Sequence, residues 1–250
     1  MGRCAASIPC AGSAPLTAAM SHPIVRTVPY DTEWGAVIED GRDGRDGRDS
    51  RAQQTRARIR AAARRLFLQQ GYQATRMDAI RVAAGVASKE TLYRHYPSKE
   101  TLFIDVMGHL TMEQPGFSAI VAALPEPRDL PTLRQALMTL AHEIVSLMRQ
   151  PDYLPLLRIL IAETARFPEL GPLFFAAVPQ RGLAIIAGLL HTARGHSVIA
   201  GGEYEVVARA LLGGLLTYAI QGLLAEGDEA FAPNDRADAL VDIMLRAVAL

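Results

Sequence analysis

The chain has 250 residues, of which half are apolar and 21% are charged, and its 26 basic and 26 acidic side chains balance. This composition is typical of a folded, soluble protein and excludes wholesale disorder. The only cysteines, Cys4 and Cys10, lie in a leader rich in Pro, Ser and Ala, which excludes a disulfide framework or a cysteine metal site.

The balanced total conceals an uneven distribution of charge. Residues 1–50 carry a net charge of −2, residues 51–100 carry +8, and residues 101–250 carry −6. A strongly basic block beside an acidic body indicates a chain that contacts polyanions at one end only.

Residues 1–50 are predicted to be a disordered leader and linker. They contain scattered prolines and three Gly-Arg-Asp repeats over residues 41–49, which are too few to form a collagen helix. Met20 is an alternative translation start. No sustained apolar run marks a secretory signal, so we expect a cytoplasmic, nucleoid-associated protein.

A helix is predicted from about residue 53, with Gly71 as its C-terminal stop. Its apolar residues recur three and four positions apart, which places them on one helical face: Ile59, Ala62, Ala63, Leu66 and Phe67.

Two short helices are predicted between Thr75 and Lys99. Thr75 is expected to cap the first, with Asp78 as its capping-box partner. Gly85 supplies the turn, and Ser88 caps the second helix. A short helix, a glycine turn and a second helix form the unit that places one helix in the major groove of DNA.

The rest of the chain is predicted to be helical except for one break. A fourth helix begins at Lys99, and three prolines and a Gln-Pro-Gly sequence indicate a loop over residues 114–131. Helices are then predicted at Thr132–Gln150, Tyr153–Arg166, Gly171–Arg194, Glu203–Glu226 and Asn234–Leu250. Because no segment alternates with period two, the fold class is all-α. The apolar stretch Val206–Leu224 is interpreted as a buried or interfacial helix, with a membrane span as the alternative.

Residues 54–107 resemble the DNA-binding domain of the TetR/AcrR transcriptional regulators. Three stretches carry the resemblance: Gly71-Tyr72-Gln73-Ala74-Thr75, Ala83-Ala84-Gly85-Val86 and Thr91-Leu92-Tyr93-Arg94-His95-Tyr96-Pro97-Ser98-Lys99-Glu100. The resemblance implies phosphate contacts from Thr75, Tyr93, Tyr96 and Lys99. It also implies base contacts from Ser88, Lys89, Thr91, Arg94 and His95, and Arg76 completes the predicted DNA-binding set. For Tyr93 and Tyr96, packing inside the three-helix unit is the alternative.

The chain departs from this family pattern at two positions. One extra residue stands between Val86 and Thr91, and Arg81 occupies a position four before the turn glycine where the family has a small alanine. One interpretation moves the turn by a residue, so that Val86 or Ala87 takes the place of the glycine.

The C-terminal part resembles the C-terminal domain of AefR-like regulators over about residues 130–195, most clearly across Arg158–Leu170. The resemblance implies an Ω-shaped homodimer in which the last two long helices form a four-helix interface. Small and apolar residues independently favour close helix contact there, with an intrachain core as the alternative: Val206, Ala210, Leu211, Gly213, Gly214 and Leu215. Candidate ligand contacts, each of which is also a plausible core or surface residue, are His142, Met148, Arg158, Phe167, Phe174, Phe175 and Tyr218.

The sequence therefore predicts three regions: a leader (1–50), a helix-turn-helix DNA-binding domain (51–112) and a helical effector-binding and dimerisation domain (113–250). We expect a repressor that binds a pseudo-palindromic operator as a homodimer and is released by a small apolar effector. The chain lacks nucleophile-elbow, dinucleotide and phosphate-loop motifs, so we expect no enzyme, cofactor or metal. The alternatives are a nucleoid-associated protein that binds DNA without effector control, and an all-α enzyme or lipid-binding module.

Overall fold

The computed structural model describes residues 46–224 and 234–248, and within these ranges every regular element is an α-helix. The all-α prediction is confirmed. The helices are α1 (Asp46–Ala74), α2 (Met77–Ala83), α3 (Lys89–His95), α4 (Lys99–His109), α5 (Pro115–Ala122), α6 (Leu130–Met148), α7 (Tyr153–Thr164), α8 (Leu170–Ala177), α9 (Pro179–Gly195), α10 (Tyr204–Leu224) and α11 (Asn234–Val248).

The first helix is longer than predicted. It begins at Asp46, so the last Gly-Arg-Asp repeat lies in α1 and not in a linker, while the first 45 residues lie outside the described part. Gly71 interrupts the helical backbone with φ of +78° and ψ of 173°, which agrees with its predicted role as a stop. A side chain is strained at this φ, so glycine is favoured here.

The prediction that Thr75 caps α2 is wrong. The residue in the capping position is Arg76, and its side chain makes no capping bond. The buried Thr75 hydroxyl instead donates to the carbonyl of Gly71 at 2.7 Å, which satisfies the end of α1. Asp78, the predicted capping partner, binds Arg81 at 2.9 Å.

The prolines mark helix starts where the sequence had indicated a loop or a continuous helix. The predicted loop over residues 114–131 contains α5, which begins at Pro115. The predicted helix Gly171–Arg194 is divided at Val178, whose backbone is not helical, and α9 begins at Pro179. Proline suits the first position of a helix because its missing N–H has no intrahelical partner there.

An aromatic cluster joins α1 to α4, whereas α6 forms the centre of the C-terminal helices. Phe103 packs edge-on against Phe67 at 5.0 Å and against Tyr72 at 5.2 Å between ring centroids. In α6, Leu133, Leu137 and Leu140 are buried, and this helix packs against α9, α10 and α11. The two groups of helices meet where α1 contacts α7 and α4 contacts α8.

Two segments, Leu170–Gly195 and Tyr204–Leu224, are long and apolar enough to cross a bilayer by composition. The first is broken at Val178 into α8 and α9. The second is α10, one side of which packs against α6, α9 and α11. Both are therefore explained as packed helices of an α-helical body.

Candidate nucleic-acid interface and cavity

Helix α3 divides its residues between the interior and the surface. Ser88 caps it by accepting a hydrogen bond from the Thr91 amide at 3.1 Å, as predicted. Leu92 is fully buried against the neighbouring helices, whereas Lys89 and Arg94 are exposed and Tyr93 is 47% exposed. The outward face of α3 therefore carries cationic and hydrogen-bonding groups suited to bases and phosphates.

The ten residues predicted to contact DNA do not all reach the surface. Four are exposed: Arg76, Lys89, Tyr93 and Arg94. Four are half-buried: Ser88, Thr91, His95 and Lys99. Thr75 and Tyr96 are buried, and their hydroxyls already donate to Gly71 and Asp105. DNA contact by any of the ten stays a prediction.

The carboxylate of Asp105 holds α3 and α4 against α1. It accepts hydrogen bonds from Tyr96 at 2.7 Å, from Arg60 at 2.7 Å and from Arg56. Burial alone would raise the pKa of Asp105, but the Tyr96 hydrogen bond and the two guanidinium groups outweigh it and hold that pKa below its ordinary value. The sequence prediction missed this residue, whose signal is a lone acid in the apolar run Leu102–Met107.

Replacing Asp105 with alanine should destabilise the protein by about 2–4 kcal/mol. The change leaves Arg60 partly buried without its carboxylate and removes the acceptor of the buried Tyr96 hydroxyl. The free energy of unfolding in urea measures the loss. Asp242→Ala is the matched control because it breaks an exposed, solvent-screened pair with Arg134, and it should lower the free energy of unfolding far less. Equal losses for the two variants would contradict the assigned role.

Lys99, predicted to contact phosphate, binds backbone carbonyls at the end of α1. Its ammonium donates to the carbonyls of Tyr72 at 2.9 Å and Thr75 at 3.2 Å. The same nitrogen lies 4.2 Å from the centroid of the Tyr72 ring. Burial lowers the pKa of Lys99. Lys99 thus satisfies helix-terminal carbonyls that would otherwise lack a partner.

Gly85 occupies the position of positive φ in the turn between α2 and α3. Gly85 has φ of +64°, whereas Val86 and Ala87 do not adopt positive φ, so the interpretation that moves the turn by one residue is wrong. Arg81 spans the longer loop and donates to the carbonyls of Val86 at 3.0 Å and Ala87 at 3.1 Å. The two departures from the family pattern are therefore coupled, because the arginine binds the carbonyls of the extended loop.

Removing the Arg81 side chain should loosen α3 without unfolding the protein. We expect Arg81→Ala to weaken DNA binding about fivefold, because its two carbonyl bonds are partly exposed and contribute about 1 kcal/mol together. Deleting Ala87 in the same variant should recover most of the affinity, since the shorter loop no longer needs the arginine. Fluorescence anisotropy with a labelled duplex measures both. No recovery on deleting Ala87 would contradict the coupling.

Much of the positive charge of residues 51–100 is neutralised inside the fold. Arg56 and Arg60 bind Asp105, Arg64 binds Asp152, and Arg81 binds Asp78. Among the described residues from 51 to 100, the exposed arginines that form no ion pair within the described part of the chain are Arg51, Arg58, Arg65, Arg76 and Arg94. These side chains remain available to a polyanion.

An apolar cavity of about 330 Å³ lies among the C-terminal helices. Residues of α6, α7, α8, α9 and α10, together with Thr111 and Met112 after α4, line it. Two rim residues, Ile161 of α7 and Ile220 of α10, are more than half exposed, so the cavity opens between these helices. Its volume falls at the lower end of the range of small-molecule sites.

Two of the seven predicted ligand contacts, Met148 and Phe174, line this cavity. The other five lie outside its lining: His142, Arg158, Phe167, Phe175 and Tyr218. His142 lies 2.6 Å from Asp238 between α6 and α11, and Arg158 donates to the carbonyl of Leu223 at 2.9 Å. Among the residues that the structure describes, no three His, Cys, Asp or Glu side chains are grouped to hold a metal ion.

Side chains of α7 and of the turn before α8 also contact α1. Asp152 at the start of α7 pairs with Arg64. After α7, Phe167 packs edge-on against Tyr72 with ring centroids 5.1 Å apart, and Arg166 donates to Gln73 at 2.5 Å. The helices that line the cavity are therefore bound to the end of α1, beside the helix-turn-helix unit.

Helix α10 exposes a stripe of small and apolar residues. Successive residues of the stripe lie four and then three positions apart along the chain: Val206, Ala210, Gly213, Thr217, Ile220 and Leu224. Leu224 is 85% exposed. The other residues of the predicted interface turn inward, since Leu211 and Leu215 are buried and Gly214 closely approaches Leu240 of α11. A spacing of 3.5 residues is typical of a seam between packed helices.

Two family models match the chain. Residues 59–106 match the model described as bacterial regulatory proteins of the TetR family. Residues 135–248 match the C-terminal domain of AefR-like transcriptional repressors, and the two matches together cover more than half of the chain.

Solved structures of transcriptional regulators are similar over most of their length. A TetR-family regulator from Mesorhizobium loti is 26% identical, with a TM-score of 0.64 over 80% of this chain and 99% of that one. The flavonoid-responsive regulator FrrA is 29% identical, with a TM-score of 0.59 over 79% of this chain and 98% of that one. TylP from Streptomyces fradiae is 25% identical, with a TM-score of 0.54 over 80% of this chain and 89% of that one. No curated protein matches the chain significantly.

Proposed function

Because the chain belongs to the TetR family of transcriptional regulators, we propose that it is a homodimeric repressor. The dimer binds an operator through α3, and it leaves the operator when a small apolar effector fills the cavity. The observation that carries the proposal is the division of α3 between a buried Leu92 and an exposed Lys89, Tyr93 and Arg94. We assign DNA binding to residues 51–112 and effector binding and dimerisation to residues 113–250.

The width of the major groove, about 12 Å, accommodates an α-helix with its side chains. Arg94 and Lys89 are the candidates for guanine contacts, since both are exposed and cationic. Tyr93 and the free arginines of α1 would contact phosphates, which set the register of the protein on the duplex.

The stripe on α10 supports a dimer. Its six residues leave an apolar surface that a second copy would cover, and Ile243 of α11 adds another exposed apolar side chain. Two such helix pairs form a four-helix interface. A two-fold axis through this interface relates two copies of α3, so a pseudo-palindromic operator would match the dimer.

The contacts of α7 and α8 support coupling between cavity and DNA. An effector would contact Leu160 of α7 and Phe174 of α8. Asp152 and Phe167, which flank α7, contact α1. Filling the cavity would favour a position of α7 and α8 that changes the spacing of the two α3 helices. Release then depends on the difference in effector affinity between the two conformations. FrrA, as its name states, responds to flavonoids, which fits an aromatic effector for this cavity too.

Selection of bound fragments from the genome of the source organism tests the proposal. We expect a short palindromic sequence that the protein protects in a footprint, with random DNA of equal length bound at least 100-fold more weakly. Equal affinity for both, with a steep salt dependence, would instead indicate a cytoplasmic nucleoid-associated protein. A compound from the regulated genes' pathway should then remove the footprint.

A further inference from the structure

The cavity contains one polar group that makes no hydrogen bond within the described part of the chain, the hydroxyl of Tyr153. The side chain is 3% exposed and lines the cavity at the start of α7. Every fully enclosed side-chain nitrogen or oxygen atom among the described residues has a partner. The Tyr153 hydroxyl therefore keeps some accessible surface, and the side chain that carries it lines the cavity.

The hydroxyl groups of the other polar side chains in the cavity lining already donate to backbone carbonyls. Thr111 donates to the carbonyl of Met107 at 2.9 Å, and Thr164 donates to the carbonyl of Ile161 at 2.8 Å. No Asp, Glu, His, Lys or Arg is among the described residues of the lining. Burial raises the pKa of Tyr153 to about 12, so the phenol remains a hydrogen-bond donor at physiological pH.

We propose that the cavity selects an uncharged, mainly apolar molecule that carries one oxygen acceptor, and that Tyr153 donates the hydrogen bond that orients it. This inference rests on the proposed function, because it names the chemical class of the effector. A carboxylate or an ammonium ion would lose its hydration in the cavity without gaining an opposite charge from the described lining, which disfavours both. A hydroxyl or carbonyl group loses little, because Tyr153 replaces its water.

Calorimetric titration of the full chain without DNA tests this inference with three ligands of similar shape: naphthalene, β-naphthol and β-naphthoate. The first has no acceptor, the second has one neutral oxygen, and the third is an anion. The variant is Tyr153→Phe, which removes an oxygen that has no hydrogen-bond partner among the described residues. The matched control is Tyr204→Phe, because that tyrosine is equally buried but lies outside the cavity and donates to the carbonyl of Ala200.

We expect Tyr153→Phe to weaken β-naphthol binding about three- to tenfold and to leave naphthalene binding within twofold. Tyr204→Phe should change neither, and wild-type protein should bind β-naphthoate at least tenfold more weakly than β-naphthol. Equal effects of Tyr153→Phe on naphthalene and β-naphthol would overturn the inference. So would β-naphthoate binding as tight as β-naphthol, a comparison that needs no variant, or no binding of any of the three.

The same titrations separate this inference from the proposed function. If β-naphthol binds through Tyr153 but does not weaken the operator complex, the ligand class stands and effector release by that compound fails. If the protein has no operator at all, the proposed function fails whatever the titrations show.

Discussion

Arg94→Ala should reduce operator affinity by about thirtyfold or more. Arg94 is exposed on α3 and has no ion pair among the described residues, so its guanidinium is free to bind a base edge. A bidentate contact of this kind contributes about 1–3 kcal/mol of discrimination, and a dimer loses it in both half-sites. Stability should hardly change, because the exposed side chain forms no hydrogen bond or ion pair with the described residues. Fluorescence anisotropy with operator and random duplexes measures the effect.

Arg128→Ala is the control for the lost positive charge. Arg128 is also exposed, but it lies before α6 and pairs with Glu126, far along the chain from the helix-turn-helix. Its removal should alter operator affinity by less than twofold. If Arg94→Ala weakened operator and random DNA by the same factor, Arg94 would be a phosphate contact and the base-reading assignment would be wrong.

Gly213→Glu should convert the dimer to a monomer and reduce operator affinity more than 100-fold. Gly213 lies in the exposed stripe of α10, and a Cβ added there meets open space beyond the backbone of its own helix. Two copies related by the dimer axis would bring negative charges into an apolar contact, where desolvation makes them costly. A monomer also loses the gain in affinity that comes from linking two binding units. Sedimentation velocity and anisotropy measure the two effects.

The matched control is Gly188→Glu. Gly188 is likewise exposed in the interior of a helix, α9, with open space around an added side chain, but it lies outside the stripe. Both substitutions improve helix propensity by a few tenths of a kcal/mol, so neither should unfold the chain. A Gly213→Glu protein that still sediments as a dimer would show that the two copies meet elsewhere.

Helix content was predictable because periodicity depends on local spacing. The sequence predicted α6, α7, α10 and α11 within a few residues of their observed bounds. It failed at Pro115 and Pro179, where proline starts a helix, because the same residue also interrupts helices elsewhere. The error at Thr75 has a similar origin, since a threonine hydroxyl can cap the following helix or close the preceding one.

The surface of α3 was better predicted than the chemistry beneath it. The exposure of Lys89, Tyr93 and Arg94 follows from which face Leu92 buries, and the sequence motif indicates that face. The position of Lys99 depends instead on backbone carbonyls 24 or more residues away along the chain. The position of Tyr96 depends on side chains of α1 and α4. No spacing rule reports such contacts.

The cavity was the least predictable feature. Its lining is drawn from five helices, and a Phe or Met in a core has the same sequence pattern as one beside a void. Tyr153 was therefore missed, although it directly follows the Asp152 that binds α1. Only the relative placement of α6, α7 and α10 distinguishes it from an ordinary buried tyrosine.

The division of α3 also bears on how such a regulator can evolve. Its fold depends on Leu92, on the Ser88 cap and on Asp105 behind it, while Lys89 and Arg94 make no contribution to the core. Substitutions at the two outward positions should therefore accumulate at little thermodynamic cost. Duplicated copies of the gene could diverge toward new promoters by changing these side chains alone, with the scaffold inherited intact.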